Sequence, residues 1–414
     1  MRHGRRYVPA VPFLPASATA DAAVLVRTRG ARAFADGAVA VVLPAHLALL
    51  GWSATMIGVL ISLMLAGSAV ATLGVGLRAG GLGRRTLLLV VSAVMVGTGI
   101  VFGAASSFAV LGVAGLVGTL NPTGGDVSVF LPAEQGLLAG TVAEADRTAL
   151  VARYTLVGFV LAAAGAAAAG VPDALARAEL LAPLGATRSV FAGYALAGVV
   201  VLAWYRRLSP AVEPVRGVRV GLGPSRRTVY RLAAVFSIDS FGGGFVGQAV
   251  VALWLYRRFD LSVGAAGALF SIVGLLAGCS GLLSARLARR IGLVRTMAFT
   301  HLPANALLVA TACMPNLWAA LACLLARSAL AQMDVPARTS YVLAVVTPPE
   351  RPAAAAVTNV PRSVAAALPP VVAGWLLDRT SFGWPLVIGG VLKAVYDLVL
   401  LWQFRSLRPP EEQG

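Results

Sequence analysis

Residues 56–77 read Met-Ile-Gly-Val-Leu-Ile-Ser-Leu-Met-Leu-Ala-Gly-Ser-Ala-Val-Ala-Thr-Leu-Gly-Val-Gly-Leu, without one charged side chain. As an α-helix this stretch is about 33 Å long, enough to cross a hydrocarbon core of about 30 Å. Segments of the same kind recur along the chain. They fall near 31–50, 56–77, 87–105, 109–130, 149–170 and 189–205, then 232–255, 265–287, 294–314, 317–337, 353–376 and 384–404. The 414 residues are 58% hydrophobic and 12% charged, with a mean hydropathy of +0.82. Soluble domains run at about 45–50% apolar and about 25% charged. The composition excludes a large soluble enzyme and a disordered chain, and predicts an all-α membrane protein of twelve transmembrane helices.

The net charge is +17, and every basic residue except Lys393 is arginine. A charge this high raises nucleic acid as a partner, so its distribution matters. With the N-terminus placed inside, 27 basic residues fall on cytoplasmic segments. The opposite side holds five (Arg177, Arg188, Arg257, Arg258 and Arg379), while Arg327 and Lys393 fall within spans. That asymmetry predicts both termini in the cytoplasm and gives the arginines a topological role. No nucleic-acid partner is expected. The N-terminal arginines and the run ending Ala18-Thr19-Ala20 imitate a signal peptide, but Pro9, Pro12 and Pro15 interrupt it. Residues 1–28 are therefore expected to be a flexible cytoplasmic extension, and 405–414 a cytoplasmic tail. Cys279, Cys313 and Cys323 lack metal or redox spacing and are expected to be buried, inert thiols.

The chain repeats itself. Pro132-Ala133-Glu134, Arg147 and Gly170 recur as Pro336-Ala337-Arg338, Arg351 and Gly374, at a constant offset of 204. Ser53, Gly58, Ser62 and Gly83 recur as Ser262, Gly267, Ser271 and Gly292 at an offset of 209, and Asp36 matches Asp239 at 203. Two pseudo-symmetric six-helix bundles are expected, 29–205 and 232–404, joined by a basic cytoplasmic linker at 206–231.

This pattern resembles the major facilitator superfamily from about Arg29 to Arg405. The superfamily signature Gly-x-Leu-Ala-Asp-Arg-x-Gly-Arg-Lys corresponds here to Gly76-Leu77-Arg78-Ala79-Gly80-Gly81-Leu82-Gly83-Arg84-Arg85, with glycine at the acidic position. The second half has Arg289-Arg290-Ile291-Gly292, also without the acid. A narrower resemblance, to bacterial permeases of mostly unassigned substrate, lies in several short stretches of the chain. They are Gly118-Thr119-Leu120-Asn121-Pro122-Thr123-Gly124-Gly125-Asp126, Phe130-Leu131-Pro132-Ala133-Glu134-Gln135, His301-Leu302-Pro303-Ala304-Asn305, and Gln332-Met333-Asp334-Val335-Pro336. Leu392-Lys393-Ala394-Val395-Tyr396-Asp397 belongs with them. The resemblance implies alternating-access transport in a bacterial plasma (inner) membrane, by a monomer. It also implies the Gly-Pro-x-x-Gly-Gly element of antiporters in span 5, where Gly165-Ala166 stands instead.

Charges inside spans need a reason, since each is expensive in hydrocarbon. Asp36 and Asp239, at equivalent depth, suggest a pair of carboxylates facing one cavity as proton carriers, although Asp36 could equally contact Arg32 one turn back. Asp126 follows the broken segment containing Asn121 and Thr123, the kind of discontinuity that lines a transporter's binding site or simply lets helices pack closely. Arg327 near the middle of span 10, followed by Gln332, would bind an anionic or carbonyl group or pair with Asp334. Arg84, Arg85, Glu134, Arg153, Arg338 and Arg362, placed near cytoplasmic helix ends, are read as a gating network. Lys393 and Asp397, four apart, are expected to form an intrahelical ion pair of structural character. His301 and Asn305 would contact span 12 or line a polar pocket, and His46 would sit at the membrane interface.

The single lysine is followed by alanine, so the chain has no Walker A element. No metal cluster, cofactor motif or catalytic elbow is present in the sequence, and no enzyme activity is expected. The function read from the sequence is secondary transport of a small organic solute, proton-coupled and directed outward. Uptake, or a non-transporting sensor or intramembrane enzyme on the same fold, is the alternative.

Overall fold

The computed structural model describes residues 13–78, 83–123, 130–138, 140–213, 221–347 and 350–404. Those residues form α1 (Ala20–Leu49), α2 (Ala54–Arg78), α3 (Arg84–Ala104), α4 (Phe108–Val117), α5 (Phe130–Leu138), α6 (Arg147–Ala168), α7 (Gly170–Arg177) and α8 (Pro183–Tyr205). After the linker come α9 (Arg226–Gly244), α10 (Gln248–Phe259), α11 (Val263–Ile291), α12 (Leu293–Cys313), α13 (Leu317–Ser328), α14 (Asp334–Ala344), α15 (Arg351–Ala367), α16 (Pro369–Arg379) and α17 (Trp384–Phe404). Among the described residues, nine helical stretches are long and apolar enough to cross a membrane, and α4 and α13 are shorter apolar helices. The expected twelve crossings are therefore not all drawn as long apolar rods.

Breaks account for spans 4 and 10, whereas span 9 is α12, an unbroken helix made less apolar by Arg295, His301 and Asn305. Spans 4 and 10 divide as α4/α5 and α13/α14, and spans 5 and 11 as α6/α7 and α15/α16. These are equivalent positions in the repeat. Pro122 lies in the first break, while Pro336 sits in the first turn of α14, where its missing N–H costs no helical hydrogen bond. Pro369 opens α16 in the same way. Span 7 also divides, after Gly242-Gly243-Gly244. At one break the backbone reaches across the repeat: the Ala249 N–H at the start of α10 donates to the Pro122 carbonyl at 3.0 Å.

Between the two halves, α2 crosses α16 and α6 crosses α11, and both crossings depend on glycine. A Cβ on Gly58 would overlap the carbonyl of Pro370, and one on Gly267 the carbonyl of Ala166. These are the same contact made twice, since 58 and 267, and 166 and 370, are related by the repeat. Small residues let the helix backbones touch where side chains would hold them apart. At the end of the molecule opposite the linker the two crossings are fastened by carboxylates. Asp378 at the end of α16 accepts from the Ala54 and Thr55 N–H groups at 2.9 and 2.8 Å and from the Thr55 hydroxyl at 2.6 Å. Asp173 in α7 accepts from the Gly264 N–H at 2.6 Å. Each carboxylate thus caps the N-terminus of a helix in the other half, where unpaired N–H groups and the helix dipole favour a negative charge.

At the linker end, Glu213 accepts from the Arg84 and Arg85 N–H groups at 3.0 and 2.7 Å. Glu350 takes the Gly223 N–H together with the hydroxyls of Ser225 and Thr347, both at 2.6 Å. The linker is therefore pinned on both sides of residues 214–220.

Three expectations need correction. Helix α1 begins at Ala20 with Ala22 and Leu25 fully buried, so the last part of the expected 1–28 extension belongs to the helical core. Cys279 and Cys313 are exposed, and Cys323 half-buried. They lie on outward faces, alongside exposed apolar side chains such as Ile272 and Leu275. In a membrane protein an apolar environment lies outside the bundle as well as within it. His46 is wholly buried, with Nδ1 2.9 Å from the Thr187 hydroxyl and its ring 4.8 Å from that of Phe191.

Replacing Gly58 or Gly267 by valine should wedge the crossing helices apart at a cost of about 1–3 kcal/mol or more. Unfolding of the detergent-solubilised protein followed by temperature should show a clear drop in midpoint for both. Gly193→Ala, with open space around the added methyl group, should leave the midpoint unchanged.

Candidate functional site

A cavity of about 220 Å³ opens inside the second bundle, lined by Asp239, Val273, Ala277, His301, Arg327, Ser328, Ala331, Gln332, Asp334, Val335, Arg338 and Lys393. It forms where span 10 is broken: Arg327 lies in the last turn of α13 and Asp334 in the first turn of α14. Asp239 projects from α9 and is its organising charge. Its Oδ1 accepts from the Lys393 ammonium at 2.5 Å and its Oδ2 from the Arg338 guanidinium at 3.1 Å. Arg338 also lies 3.4 Å from Asp334, one turn back on the same helix. His301 stands between two carboxylates, with Nδ1 2.9 Å from Asp397 and Nε2 4.0 Å from Asp239. Asn305 donates to the other Asp397 oxygen at 2.9 Å. Arg362 donates to the Ser240 hydroxyl, beside Asp239, at 3.1 Å.

Charges so far from water need close partners. The arrangement therefore overturns the expected intrahelical pair of Lys393 and Asp397. Both residues are buried, and their face of α17 meets α9 and α12. Lys393 is drawn to Asp239 and Asp397 to His301, because contacts across the bundle are desolvated while an exposed pair along one helix contributes only a few tenths of a kcal/mol. Arg327 likewise does not pair with Asp334. Among the described residues its guanidinium has neither a hydrogen bond nor an ion pair, and Nε is sealed from solvent without an acceptor.

The first bundle holds a second buried cluster, built on Glu134. Its carboxylate is ion-paired with Arg32, accepts from the Tyr154 hydroxyl, and accepts from Tyr205 at 2.5 Å and Thr28 at 3.1 Å. The Arg32 guanidinium lies 4.1 Å from the centre of the Phe130 ring. Glu134 and Arg338 are repeat equivalents, so an ion pair between spans 1 and 4 reappears between spans 7 and 10 with the charges exchanged. Both residues were placed near cytoplasmic helix ends by the sequence; both are buried inside their bundles.

The remaining sequence candidates are dispersed. Asp36 is half-buried on α1, within electrostatic reach of Arg32 and Tyr194. It is not among the residues lining the Asp239 cavity, so the two carboxylates do not share it. Asn121 is buried, and its Oδ1 accepts from the Thr123 N–H and hydroxyl at 3.1 and 2.7 Å, closing a turn at the break of span 4. Asp126 and Gly80 lie outside the described residues. The backbones of Arg84 and Arg85 hold Glu213, and the Arg85 side chain reaches the Arg206 carbonyl at 2.9 Å. Arg153, on α6, buries Nη1 without a partner among the described residues.

Sequence reasoning missed Tyr154, Tyr205 and Glu213, along with the two capping aspartates, and underrated Lys393 and Asp397. A signal for the last two was present: an acid and the chain's only lysine inside an apolar span are costly wherever they sit.

An all-helical bundle with an internal two-fold repeat, interrupted spans and a charged internal cavity defines a polytopic membrane transporter fold. The model of the Major Facilitator Superfamily matches residues 29–326 and 232–414, and the chain belongs to that superfamily. The uncharacterized membrane protein YJR124C of Saccharomyces cerevisiae is 25% identical over 386 residues, spanning 84% of this chain and 86% of its own. Among solved structures, a bacterial homolog of the human lysosomal transporter Spinster, inward-facing and unoccupied, superposes with a TM-score of 0.70 at 15% identity, covering 94% of this chain and 98% of that one. The human organic anion transporter MFSD10 gives 0.62 at 16% identity, covering 92% and 98%. The nucleoside transporter NupG gives 0.66 at 13% identity, covering 94% and 99%. These likenesses concern the fold.

Removing Asp239 leaves Lys393 and Arg338 without their shared carboxylate. Breaking a buried pair in this way costs about 3–5 kcal/mol. Asp239→Ala should therefore lower the unfolding midpoint far more than Asp36→Ala; equal effects would show that the second cluster does not rest on Asp239.

Hydrogen bonds from Ser225, Thr347 and the Gly223 N–H hold the Glu350 carboxyl down to a pKa of about 2, below its ordinary 4.5. A depressed carboxylate stabilises the folded state above the unfolded value and loses that contribution as pH falls from about 4.5 towards 2. The linker clamp should persist at neutral and mildly acidic pH, and Glu350→Gln should weaken it at pH 7. Faster tryptic cleavage after Arg226 or Arg227 in the variant would report this, and identical cleavage rates would refute it.

Proposed function

We propose that the chain is a secondary active transporter that moves a small organic solute by alternating access, coupled to protons through Asp239, His301 and Asp397. The observation that carries this reading is the charged cavity at the break of span 10, where the charges of the second bundle's interior converge. An imidazole between two carboxylates can take a proton from one side and pass it to the other, because its two ring nitrogens are distinct donors and acceptors. Lys393 and Arg338 share the Asp239 carboxylate, so protonation there would loosen both cations and change the pairing of spans 7, 10 and 12. The solute would occupy the cavity beside Arg327, Gln332 and Asp334. Asp36, Asp126, Asn121 and Thr123 remain candidates for a corresponding role in the first bundle. Arg84, Arg85, Glu134, Arg153 and Arg362 would hold the access states in place.

The arginine distribution supports both termini lying on the cytoplasmic side; a monomer in the plasma membrane is the reading retained from the sequence. Export is the direction retained from the sequence. The test is flux in proteoliposomes under an imposed proton gradient, with internal pH followed by a trapped dye. Wild-type protein should carry protons only when a transported solute is present. His301→Gln and Asp397→Asn should lose the coupling while remaining folded by thermal unfolding. Wild-type pH dependence in both variants would remove the cluster from the mechanism. If a solute screen finds no flux under any gradient, the protein is a receptor on a transporter fold.

A further inference from the structure

We propose that the solute docks as an anion, through a carboxylate that ion-pairs with Arg327. This deepens the transport reading and rests on its choice of cavity.

The argument begins with charge. The residues lining the cavity bring three fixed cations, Arg327, Arg338 and Lys393, against two carboxylates, Asp239 and Asp334. Both carboxylates are already engaged. Asp239 holds Lys393 and Arg338 at 2.5 and 3.1 Å, and Asp334 lies 3.4 Å from Arg338. The third nearby carboxylate, Asp397, is occupied by His301 and Asn305. Arg327 is the cation left over. Among the described residues it makes no hydrogen bond and no ion pair, and its buried Nε has no acceptor. Arg327 is half-buried, and a guanidinium with one donor sealed from solvent and unanswered gains from an anion. One singly charged carboxylate would both neutralise the lining and satisfy Arg327 through two parallel N–H···O bonds.

Two further features fit the same ligand. The eleven-residue helix α14 starts at the cavity, and the N–H groups of a helix N-terminus favour an anion. Across from it, Val273 and Ala277 of α11 form an apolar wall that suits a hydrocarbon body, and Gln332 offers one neutral polar contact. The volume of about 220 Å³ corresponds to about seven waters at about 30 Å³ each. The space therefore fits a small monocarboxylate better than a large or multiply charged solute.

The experiment is a binding screen with the purified full-length protein, read by thermal stabilisation. The probes are a panel of small monocarboxylates, benzoate and nicotinate among them, each tested beside its uncharged amide. Acids should stabilise the protein where their amides do not. Arg327→Gln should weaken binding of the best acid at least tenfold, while Arg327→Lys, which keeps the charge but not the planar fork, should fall in between. The proposal is overturned if amides bind as well as acids, if no acid stabilises the wild type at millimolar concentration, or if Arg327→Gln binds acids undiminished. Should the glutamine variant fail to fold, competition between the best acid and its amide in Arg327→Lys decides the question. Vesicle flux of the best acid separates the two readings. Binding that needs Arg327 but gives no flux would retain the anion site and overturn transport. Flux of a neutral solute alone would retain transport and overturn the site.

Discussion

A charged group inside an apolar helical bundle has to be met by an opposite charge or an aligned hydrogen-bond donor, and most of the interior of this protein is arranged around that requirement. Glu134 in the first bundle and Asp239 in the second are the two centres. Each carboxylate is buried, and each is held by side chains from at least two other spans. The helices carrying Arg32, Tyr154 and Tyr205, or Arg338 and Lys393, are thereby fixed in rotation, because turning any one of them would leave a charge or hydroxyl unanswered. The apolar faces set how closely the helices pack; the polar centres set which face points inward.

The repeat shows how one scaffold acquired two different interiors. The backbone contacts are duplicated almost literally, with glycine against carbonyl at both crossings and an aspartate capping the opposite half's helix in both places. The side chains inside are not duplicated. Glu134 faces Arg32, whereas its counterpart Arg338 faces Asp239, and only the cluster around Asp239 adds a lysine, a histidine and a further aspartate. Surface contacts were constrained by shape and stayed symmetric. The interior was constrained only by charge balance, which can be met with either polarity.

Orientation and interior chemistry draw on the same residue type. Arg29, Arg32 and Arg338 were counted by sequence with the cytoplasmic segments, yet all three are buried. Setting them aside leaves the basic excess on that side, since the linker, the turn at Arg84 and Arg85 and the segment Arg286–Arg295 carry it. Arginine serves both ends because its guanidinium is always charged and can bond to several acceptors at once.

By itself the sequence determined the membrane class, the internal repeat and the superfamily, and it singled out the few charges within spans. Those features follow from composition and spacing, which are local or strictly periodic. Only the tertiary structure decided which charges meet. Lys393 and Asp397 read as one ion pair along a helix and proved to be members of a cluster joining α9, α12, α14 and α17. Asp36 and Asp239, one in each bundle, read as facing one cavity, yet Asp36 is not among the residues lining the cavity at Asp239. The physical reason is that a residue's neighbours along a helix follow from its number, whereas its neighbours across a bundle follow from how each helix is rotated. That rotation is set collectively by glycine crossings, helix breaks and the mutual neutralisation of buried charges.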